Sequence, residues 1–333
     1  MENKKEMQKQ QVFITRRIAE KALALLENEV EMEIWEEETP PPYEILQEKI
    51  KNCDGLLTLL TDPIDADLIK SASNLKTISQ MAVGFDNIDI NTATELGIPV
   101  GNTPDALTET CADFTFALIL SIARRIVESD KEVRQGIWRP WGPDVLVGED
   151  VFNATLGIIG LGRIGQAVAR RASGFNMKIL YTGRSRHPEA EKELGATYVD
   201  LDTLLQESDF ISIHTSLNDE TRGMIGEKEF SKMKKNAILI NTSRGGVIDS
   251  QALYTALKEK RITGAALDVY ETEPIPDNTP ILELDNLVIT PHIASASVKT
   301  REKIAIMAAE NLLAGLKGKT LPYCANPKVY KRS

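Results

Sequence analysis

The sequence predicts an α/β protein built from two doubly wound domains, each with a parallel sheet that carries helices on its faces. Short apolar runs alternate with longer amphipathic segments, and this alternation occurs in two successive series. The length of 333 residues exceeds what one hydrophobic core usually organises. Hydrophobic residues make up 42% and charged residues 26%, a balance typical of a globular protein rather than a disordered or fibrous one.

The first series begins at about residue 11. Its predicted strands are VFIT, VEMEIW, GLLTLL, LKTISQMAV and IPVGN, and its predicted helices cover residues 18–26 and 43–52. Residues 108–136 then predict one long helix, because an unbroken apolar stripe follows Thr108, a residue type that often caps a helix N-terminus. A helix of that length can link two domains.

The second series begins at Thr155 with six predicted strands, TLGIIG, KILYT, DFISIHT, AILINTS, GAALDV and NLVITPH. Six strands alternating with helices suffice for a doubly wound nucleotide-binding sheet. A final helix is predicted to run to about residue 316, and we expect the chain to return there to the first domain. The predicted domains are residues 1–104 with 298–333, and residues 105–297, with the active site in the cleft between them.

The net charge and the cysteine content limit the classes of partner and the cellular compartment that we expect. A formal net charge of -10 disfavours binding to nucleic acid or to anionic membranes, which bind clustered Lys and Arg. The three cysteines lack metal-ligand spacing, so we predict no metal site and a reducing compartment. The first residues lack the apolar stretch of a signal peptide, and the apolar run at 114–123 is too short to span a bilayer. These features predict a cytoplasmic protein with a small-molecule partner.

A glycine-rich motif, GLGRIG at residues 160–165, follows a predicted strand directly and opens a predicted helix. This is the context that dinucleotide binding requires. Gly160 and Gly162 allow a tight turn close to a pyrophosphate, Gly165 allows the helix to pack on the strand, and the helix N-terminus offers unpaired N–H groups. The predicted contacts to the dinucleotide include Gly160, Gly162, Arg163, Ile164 and Gly165.

The next strand bears on the choice of dinucleotide. In sites for NAD, that strand is followed by an Asp or Glu that binds the ribose 2′-hydroxyl. Here it runs into Arg184, Ser185 and Arg186, whose guanidinium and hydroxyl groups suit a 2′-phosphate. The sequence therefore predicts NADP(H) as the preferred cofactor, with NAD(H) second. The alternative is that these arginines lie on a solvated loop, and His187 could border the phosphate or be a surface residue.

Only three histidines occur, so few side chains qualify as a proton donor near neutral pH. His292 follows the strand NLVIT, at the edge of the sheet where ligands bind, whereas His214 lies within a predicted strand and His187 in a loop. A single histidine is more often a packing residue, but Glu273 follows a neighbouring predicted strand and could orient the imidazole.

Two further charged residues follow strands in the second series. Arg244, in the turn NTSRGG, could hold a substrate carboxylate and polarise its ketone. Asp268 is expected beside the nicotinamide amide. Each could instead be an ordinary salt-bridge partner, and the argument for a shared site is their common placement at strand ends.

Six motifs together closely resemble the D-isomer-specific 2-hydroxyacid dehydrogenase family, and within it the glyoxylate/hydroxypyruvate reductases. They are MAVGFDNID at 81–89, NTPDALTETCADFTFALIL at 102–120, LGIIGLGRIG at 156–165, NTSRGGVID at 241–249, ALDVYETEP at 266–274 and TPHIASAS at 290–297. The resemblance spans residues 11 to about 325. It implies two Rossmann-like or flavodoxin-like domains, and NADP(H)-dependent reduction of a small 2-oxo acid to the D-2-hydroxy acid.

The resemblance also implies roles for individual residues. Arg244, Glu273 and His292 correspond to the family's catalytic set, with His292 as proton donor. The backbone at Val83 and Gly84 would hold the substrate carboxylate. The expected cofactor contacts further include Thr242, Ser243, Asp268, His292 and Ala294.

The family is usually dimeric through the long helix and the loop after it. In this chain that loop is IWRPWGPDVLVGED, and Trp138 or Trp141 could reach the active site of the neighbouring subunit. The resemblance therefore implies a homodimer.

Departures from the family pattern leave alternatives open. Asn153-Ala154 stands where Gly-Lys is more usual, and Ala294 where glycine is common, but neither change removes a catalytic group. Phosphite dehydrogenases of the family share the Asn-Ala-Thr sequence but carry a lysine at the position of Val83. Phosphoglycerate dehydrogenases often have an extra regulatory domain. Dinucleotide-sensing corepressors share the fold, but this chain lacks low-complexity or basic tails.

Overall fold

The computed structural model describes residues 9–331, which form two compact α/β units. One unit contains the chain up to Leu107 together with the chain from Ser297 onward, and the other is Thr108–Ala296. Each unit has one sheet of parallel strands with helices packed on it, which confirms the predicted fold class.

Helices and strands alternate along the chain. In chain order they are β1 (Gln10–Ile14), α1 (Glu20–Glu27), β2 (Val30–Ile34), α2 (Tyr43–Ile50), β3 (Gly55–Thr58), α3 (Ala66–Ser71), β4 (Thr77–Gln80), α4 (Ile90–Glu95), β5 (Val100–Gly101), α5 (Thr108–Ala123), α6 (Ile126–Arg134), β6 (Thr155–Ile159), α7 (Arg163–Ala172), β7 (Lys178–Thr182), α8 (Pro188–Leu194), β8 (Thr197–Tyr198), α9 (Leu201–Glu207), β9 (Phe210–Ile213), α10 (Glu227–Lys232), β10 (Ile238–Asn241), α11 (Ser250–Lys258), β11 (Gly264–Leu267), β12 (Leu287–Ile289) and α12 (Val298–Leu316).

The first unit has a five-stranded sheet in the order β2-β1-β3-β4-β5. Strands β3 and β4 are buried along their whole length, as expected for strands covered on both faces, whereas the edge strand β2 carries exposed glutamates. Helix α12 packs on β3 and β4, where the Ser79 hydroxyl donates to the Ala308 carbonyl over 2.7 Å. The chain after α12 bonds to β5, because the Val100 amide donates to the Asn326 side chain over 2.8 Å.

The second unit has a seven-stranded sheet in the order β12-β11-β10-β9-β6-β7-β8. The prediction of six strands was one too few, because β8 has two residues and gives no readable pattern. Two buried apolar clusters flank the sheet. Successive strands progress in opposite directions from β6, and such a reversal is where doubly wound sheets bind ligands.

The prediction of one helix over 108–136 was wrong. Helix α5 ends at Ala123 and α6 starts at Ile126, separated by Arg125, which has a left-handed φ of 53°. The Ala123 carbonyl accepts a hydrogen bond from the Glu149 amide over 2.9 Å instead of continuing a helical ladder. No side chain of α6 is buried, so the buried stripe stops where α5 stops. Thr108 is the first helical residue rather than the predicted cap.

Within residues 9–331, no helix is long and apolar enough to cross a membrane. Cys53, Cys111 and Cys324 are all free thiols. No cluster of three or more His, Cys, Asp or Glu side chains in the described part of the chain could hold a metal ion.

Candidate active site

Three neighbouring strands of the second unit lead into the charged residues that were predicted from the sequence to form the site. Strand β10 leads to Arg244, β11 to Asp268 and Glu273, and β12 to His292. These strands are adjacent and parallel, with Asn241 paired to Leu267 and Leu267 to Ile289. The carboxyl ends of parallel strands meet at one edge, so the four residues follow the same edge of the sheet.

The His292 imidazole and the Glu273 carboxylate form a hydrogen-bonded pair. The Nδ1 atom of His292 lies 2.7 Å from Oε2 of Glu273, and the side chains are 28% and 30% exposed. The other oxygen, Oε1, accepts from the Tyr270 amide over 2.9 Å. The hydrogen bond at Nδ1 holds the imidazole in one orientation, and Nε2 is the ring nitrogen that takes no part in this bond.

Burial of Glu273 acts to raise the pKa of its carboxyl group. The hydrogen bond and charge of His292, the Tyr270 amide and the charge of Arg244 act in the opposite direction and outweigh it, so the pKa lies below its ordinary value. Glu273 is therefore an anion at neutral pH. The carboxylate on Nδ1 orients the ring, so that Nε2 is the nitrogen from which a proton can be donated.

His292 has a left-handed backbone with φ of 56°, which is uncommon for a residue other than glycine. The fully buried Asp268 holds this segment: Oδ1 accepts from the Ile293 amide over 2.8 Å and Oδ2 from the Ala294 amide over 2.7 Å. The Thr290 hydroxyl donates to Oδ1 over 2.6 Å. These bonds over-determine the loop and so maintain the strained conformation.

Arg244 lies in a turn shaped by Asn241, the buried last residue of β10. The Asn241 side chain donates to the Arg244 carbonyl over 2.9 Å and accepts from the Ser243 amide and hydroxyl at 3.0 and 2.8 Å. The Arg244 guanidinium donates to the Ser243 carbonyl over 2.8 Å. The hydroxyl groups of Thr242 and Thr115 lie 3.1 Å apart.

The next residue, Gly245, packs against the backbone of the loop that carries Glu273. A Cβ atom on Gly245 would lie 1.8 Å from the Tyr270 carbonyl carbon, far inside contact distance. The turn of Arg244 and the Glu273 loop therefore touch directly, and only glycine permits this approach.

The glycine-rich turn joins β6 to α7. Gly160 has a φ of 98°, and a Cβ on it would lie 2.9 Å from the His214 carbonyl carbon. A Cβ on Gly165 would lie 2.3 Å from the Gly160 carbonyl oxygen, whereas Gly162 has nothing within 4 Å. No side-chain hydrogen bond from residues 9–331 caps the start of α7. This arrangement fits a bound pyrophosphate, since it offers open space and helix N–H groups.

The loop after β7 lies beside that turn. A Cβ on Gly183 would be 3.9 Å from the Gly160 Cα. Arg184, Ser185 and Arg186 are exposed, and Arg186 pairs with Glu191 of α8 over 2.6 Å. Sequence reasoning missed Glu191, because nothing in the local pattern shows that α8 turns this side chain back to the loop.

His214 follows β9, and its Nε2 lies 2.8 Å from the Ser212 hydroxyl. Burial lowers the pKa of His214 to about 4, so the ring is neutral at neutral pH. A neutral imidazole is a much weaker acid than the imidazolium ion.

Val83 and Gly84 lie in the first unit, after β4. The Val83 carbonyl accepts from the Asn102 side chain over 2.9 Å, and the Gly84 carbonyl from the Gln80 side chain over 3.3 Å. These bonds hold the loop through its carbonyl groups.

This chain is similar in sequence to proteins of known family. The sequence model described as D-isomer specific 2-hydroxyacid dehydrogenase, NAD binding domain, matches residues 116–294. A relative from Korarchaeum cryptofilum, named glyoxylate reductase, is 52% identical over 324 residues, which are 97% of this chain and 98% of the relative.

Two solved structures similar to this chain contain a nicotinamide dinucleotide. D-lactate dehydrogenase from Aquifex aeolicus, complexed with NAD and lactic acid, has a TM-score of 0.83 and 30% identity, covering 95% of this chain and 99% of the other. An acyclic imino acid reductase in complex with NADPH and D-Arg also has a TM-score of 0.83 and 30% identity, covering 94% and 99%. Relatives of this fold thus bind either dinucleotide.

Proposed function

The chain belongs to the D-isomer-specific 2-hydroxyacid dehydrogenase family, and on that premise we propose that it reduces glyoxylate or hydroxypyruvate to the D-2-hydroxy acid with NADP(H) as preferred cofactor. The observation that carries the proposal is the 2.7 Å pair of Glu273 and His292 at the carboxyl edge of the sheet. In this pair the carboxylate orients the imidazole for acid catalysis. The relative named glyoxylate reductase, 52% identical over nearly the whole chain, supports the substrate class.

The side chains of the site divide the work of the reduction. A dinucleotide bound at the glycine turn would supply the hydride that reduces the carbonyl carbon of the substrate. Protonated His292 donates the Nε2 proton to the carbonyl oxygen, while Glu273 stabilises the charged ring. Arg244 binds the substrate carboxylate and polarises the carbonyl through its fixed positive charge. The backbone amides of Val83 and Gly84 bind the same carboxylate.

The cofactor assignment follows from the glycine turn and the loop after β7. Gly160, Gly162 and Gly165 shape the turn, and the amides of Arg163 and Ile164 at the start of α7 bind the pyrophosphate. Arg184, Ser185 and Arg186 bind the 2′-phosphate, since residues 183–186 contain no carboxylate that would repel it. Residues at the edge of β10 to β12 hold the nicotinamide end: Thr242, Ser243, Asp268, His292 and Ala294.

We assign the dinucleotide to the unit Thr108–Ala296, and we assign to the other unit the amides of Val83 and Gly84, which bind the substrate carboxylate together with Arg244. The protein acts as a homodimer through α6 and the segment after it. Apolar side chains there are unusually exposed, with Val133 at 51%, Trp138 at 78% and Trp141 at 92%. An exposed cluster of that kind marks an interaction surface. Light scattering should give the mass of a dimer, and Trp138→Ser with Trp141→Ser should shift it toward the monomer.

The experiment that tests the function is a panel of initial rates, followed by loss of the nicotinamide absorbance. Glyoxylate, hydroxypyruvate and pyruvate are each supplied with NADPH and with NADH. The proposal predicts oxidation of NADPH with glyoxylate or hydroxypyruvate at a higher kcat/KM than with NADH. If neither substrate is reduced but phosphite is oxidised with NADP, the protein is a phosphite dehydrogenase. No turnover in any reaction would favour a dinucleotide-sensing role.

A further inference from the structure

The contacts of Arg186 lead us to propose that Glu191 determines how strongly the enzyme discriminates between NADPH and NADH. Glu191 occupies the guanidinium of Arg186 when no phosphate is present, so that NADH can bind without leaving that guanidinium unpaired. The inference rests on the proposed binding of the 2′-phosphate by the loop after β7. It assigns a specificity role to a residue that does not belong to that loop.

The pair of Arg186 and Glu191 has a two-point geometry. The Nε and Nη2 atoms of Arg186 donate to Oε1 and Oε2 of Glu191 at 3.1 and 2.6 Å. This is the fork that arginine also offers to a phosphate. The Arg186 side chain is 62% exposed, whereas that of Glu191 is only 17% exposed. The carboxylate is thus the fixed member of the pair, and the guanidinium is the member that can exchange partners.

Two tyrosines hold the pair in place. The hydroxyl of the fully buried Tyr181 donates to Oε1 of Glu191 over 2.6 Å and accepts from the His187 amide over 2.8 Å. The guanidinium carbon of Arg186 lies 5.7 Å from the centre of the Tyr198 ring, a cation–π distance. Tyr198 belongs to β8, the strand that the sequence did not predict. Glu191 is therefore anchored from the core beside the loop.

A 2′-phosphate has to compete with Glu191 for the guanidinium of Arg186. Part of the energy of the new contact between Arg186 and the phosphate is therefore offset by the loss of the pair with Glu191. In this chain Arg186 is already paired with Glu191, so the absence of the 2′-phosphate carries little penalty. The negative charge of Glu191 also opposes a 2′-phosphate, whereas it affects the uncharged 2′-hydroxyl of NADH much less. Both effects weaken discrimination in favour of NADPH.

The test removes the charge of Glu191 and measures binding without catalysis. Calorimetry gives the dissociation constants of adenosine 2′,5′-bisphosphate and adenosine 5′-monophosphate for wild type, Glu191→Gln and Glu191→Ala. We expect the preference for the bisphosphate to rise about two- to fivefold in both variants, the range that exposed charge pairs reach. Binding of the monophosphate should stay unchanged.

A matched control is Glu189→Gln. Glu189 is exposed in the first turn of the same helix, and within the described residues no hydrogen bond or ion pair joins it to Arg186. Its substitution removes the same charge from α8 and should change the preference less than Glu191→Gln does. An equal rise in the control would show a general charge effect and overturn the inference.

The outcomes separate this inference from the proposed function. Suppose that wild type prefers the bisphosphate but Glu191→Gln does not raise this preference. An unchanged preference would show that Glu191 does not weaken discrimination. A lower preference would show that Glu191 instead pre-organises Arg186 for phosphate. If wild type does not prefer the bisphosphate, the phosphate site itself is wrong and the inference falls with it. The proposed reduction of glyoxylate does not depend on either result, because it is tested by the rate measurements.

Discussion

Gly245 offers a test of the site that depends on its geometry alone. The turn that carries Arg244 touches the backbone of the loop that carries Glu273, at a point where a Cβ would lie 1.8 Å from the Tyr270 carbonyl carbon and 2.4 Å from the Glu271 amide nitrogen. Both neighbours are backbone atoms, which cannot rotate away. The substitution Gly245→Ala therefore has to push the two segments apart.

The size of the displacement follows from the distances. Ordinary carbon contacts start at 3.4 Å, so the two backbones must separate by about 1.6 Å from the 1.8 Å that an added Cβ would have. A misplacement of about 1 Å at a catalytic centre can reduce the rate about a hundredfold. We expect kcat/KM for glyoxylate with NADPH to fall by about that factor in Gly245→Ala. The affinity for NADPH should fall less than kcat/KM, because the added Cβ meets Tyr270 and Glu271, whereas the proposed phosphate contacts are at the turn after β6 and the loop after β7.

Gly246→Ala is the matched control. A Cβ at Gly246 would lie 3.2 Å from a terminal methyl group of Leu217, and that side chain can adjust. The control should retain kcat/KM to within about threefold, a tolerance that corresponds to less than 1 kcal/mol. Steady-state kinetics and thermal melting of both variants complete the assay. A Gly245→Ala enzyme that melts like wild type and keeps its kcat/KM would show that the spacing of Arg244 and Glu273 does not govern the reaction.

Two further predictions concern the cofactor loop and His214. Arg184→Ala combined with Arg186→Ala should narrow the preference for NADPH over NADH about tenfold, through loss of charge-assisted contacts worth about 1.5 kcal/mol; an unaltered ratio of kcat/KM values would mean that these arginines do not bind the phosphate. For His214, an unfolded chain takes up a proton as pH falls through 6.5, whereas the folded chain does so only near the lowered pKa of about 4. The free energy of unfolding should therefore fall between these pH values, by up to about 3 kcal/mol from this group. Urea titrations should show a smaller fall in His214→Asn, and equal pH dependence in both proteins would contradict the lowered pKa of His214.

The regular part of the fold could be predicted from the sequence because parallel strands buried on both faces consist of short apolar runs. The segments that became β6 and β10 are of this kind. The break between α5 and α6 could not be predicted, because it depends on the Ala123 carbonyl meeting the Glu149 amide, a contact between distant positions. Strand β8 was missed because two residues are too few to show an alternation of apolar and polar positions.

In the site, too, local sequence predicted the placement of residues but not the contacts between distant positions. Placement after a strand predicted that Arg244, Glu273 and His292 would share one edge of the sheet, since parallel strands end on the same side. Their supports were not predictable, because Asp268 acts on the loop of His292 through backbone amides. The partner of Arg186 was equally hidden, since its link to Glu191 depends on the buried Tyr181.

The central claim is that His292, oriented by Glu273, donates the proton in reduction of a 2-oxo acid. The most direct measurement compares turnover of glyoxylate with NADPH in wild type and His292→Ala, together with the dissociation constant of NADPH from fluorescence titration. Loss of general acid catalysis predicts a fall in kcat of at least about a hundredfold with NADPH binding nearly unchanged. Unchanged turnover in His292→Ala would contradict the account.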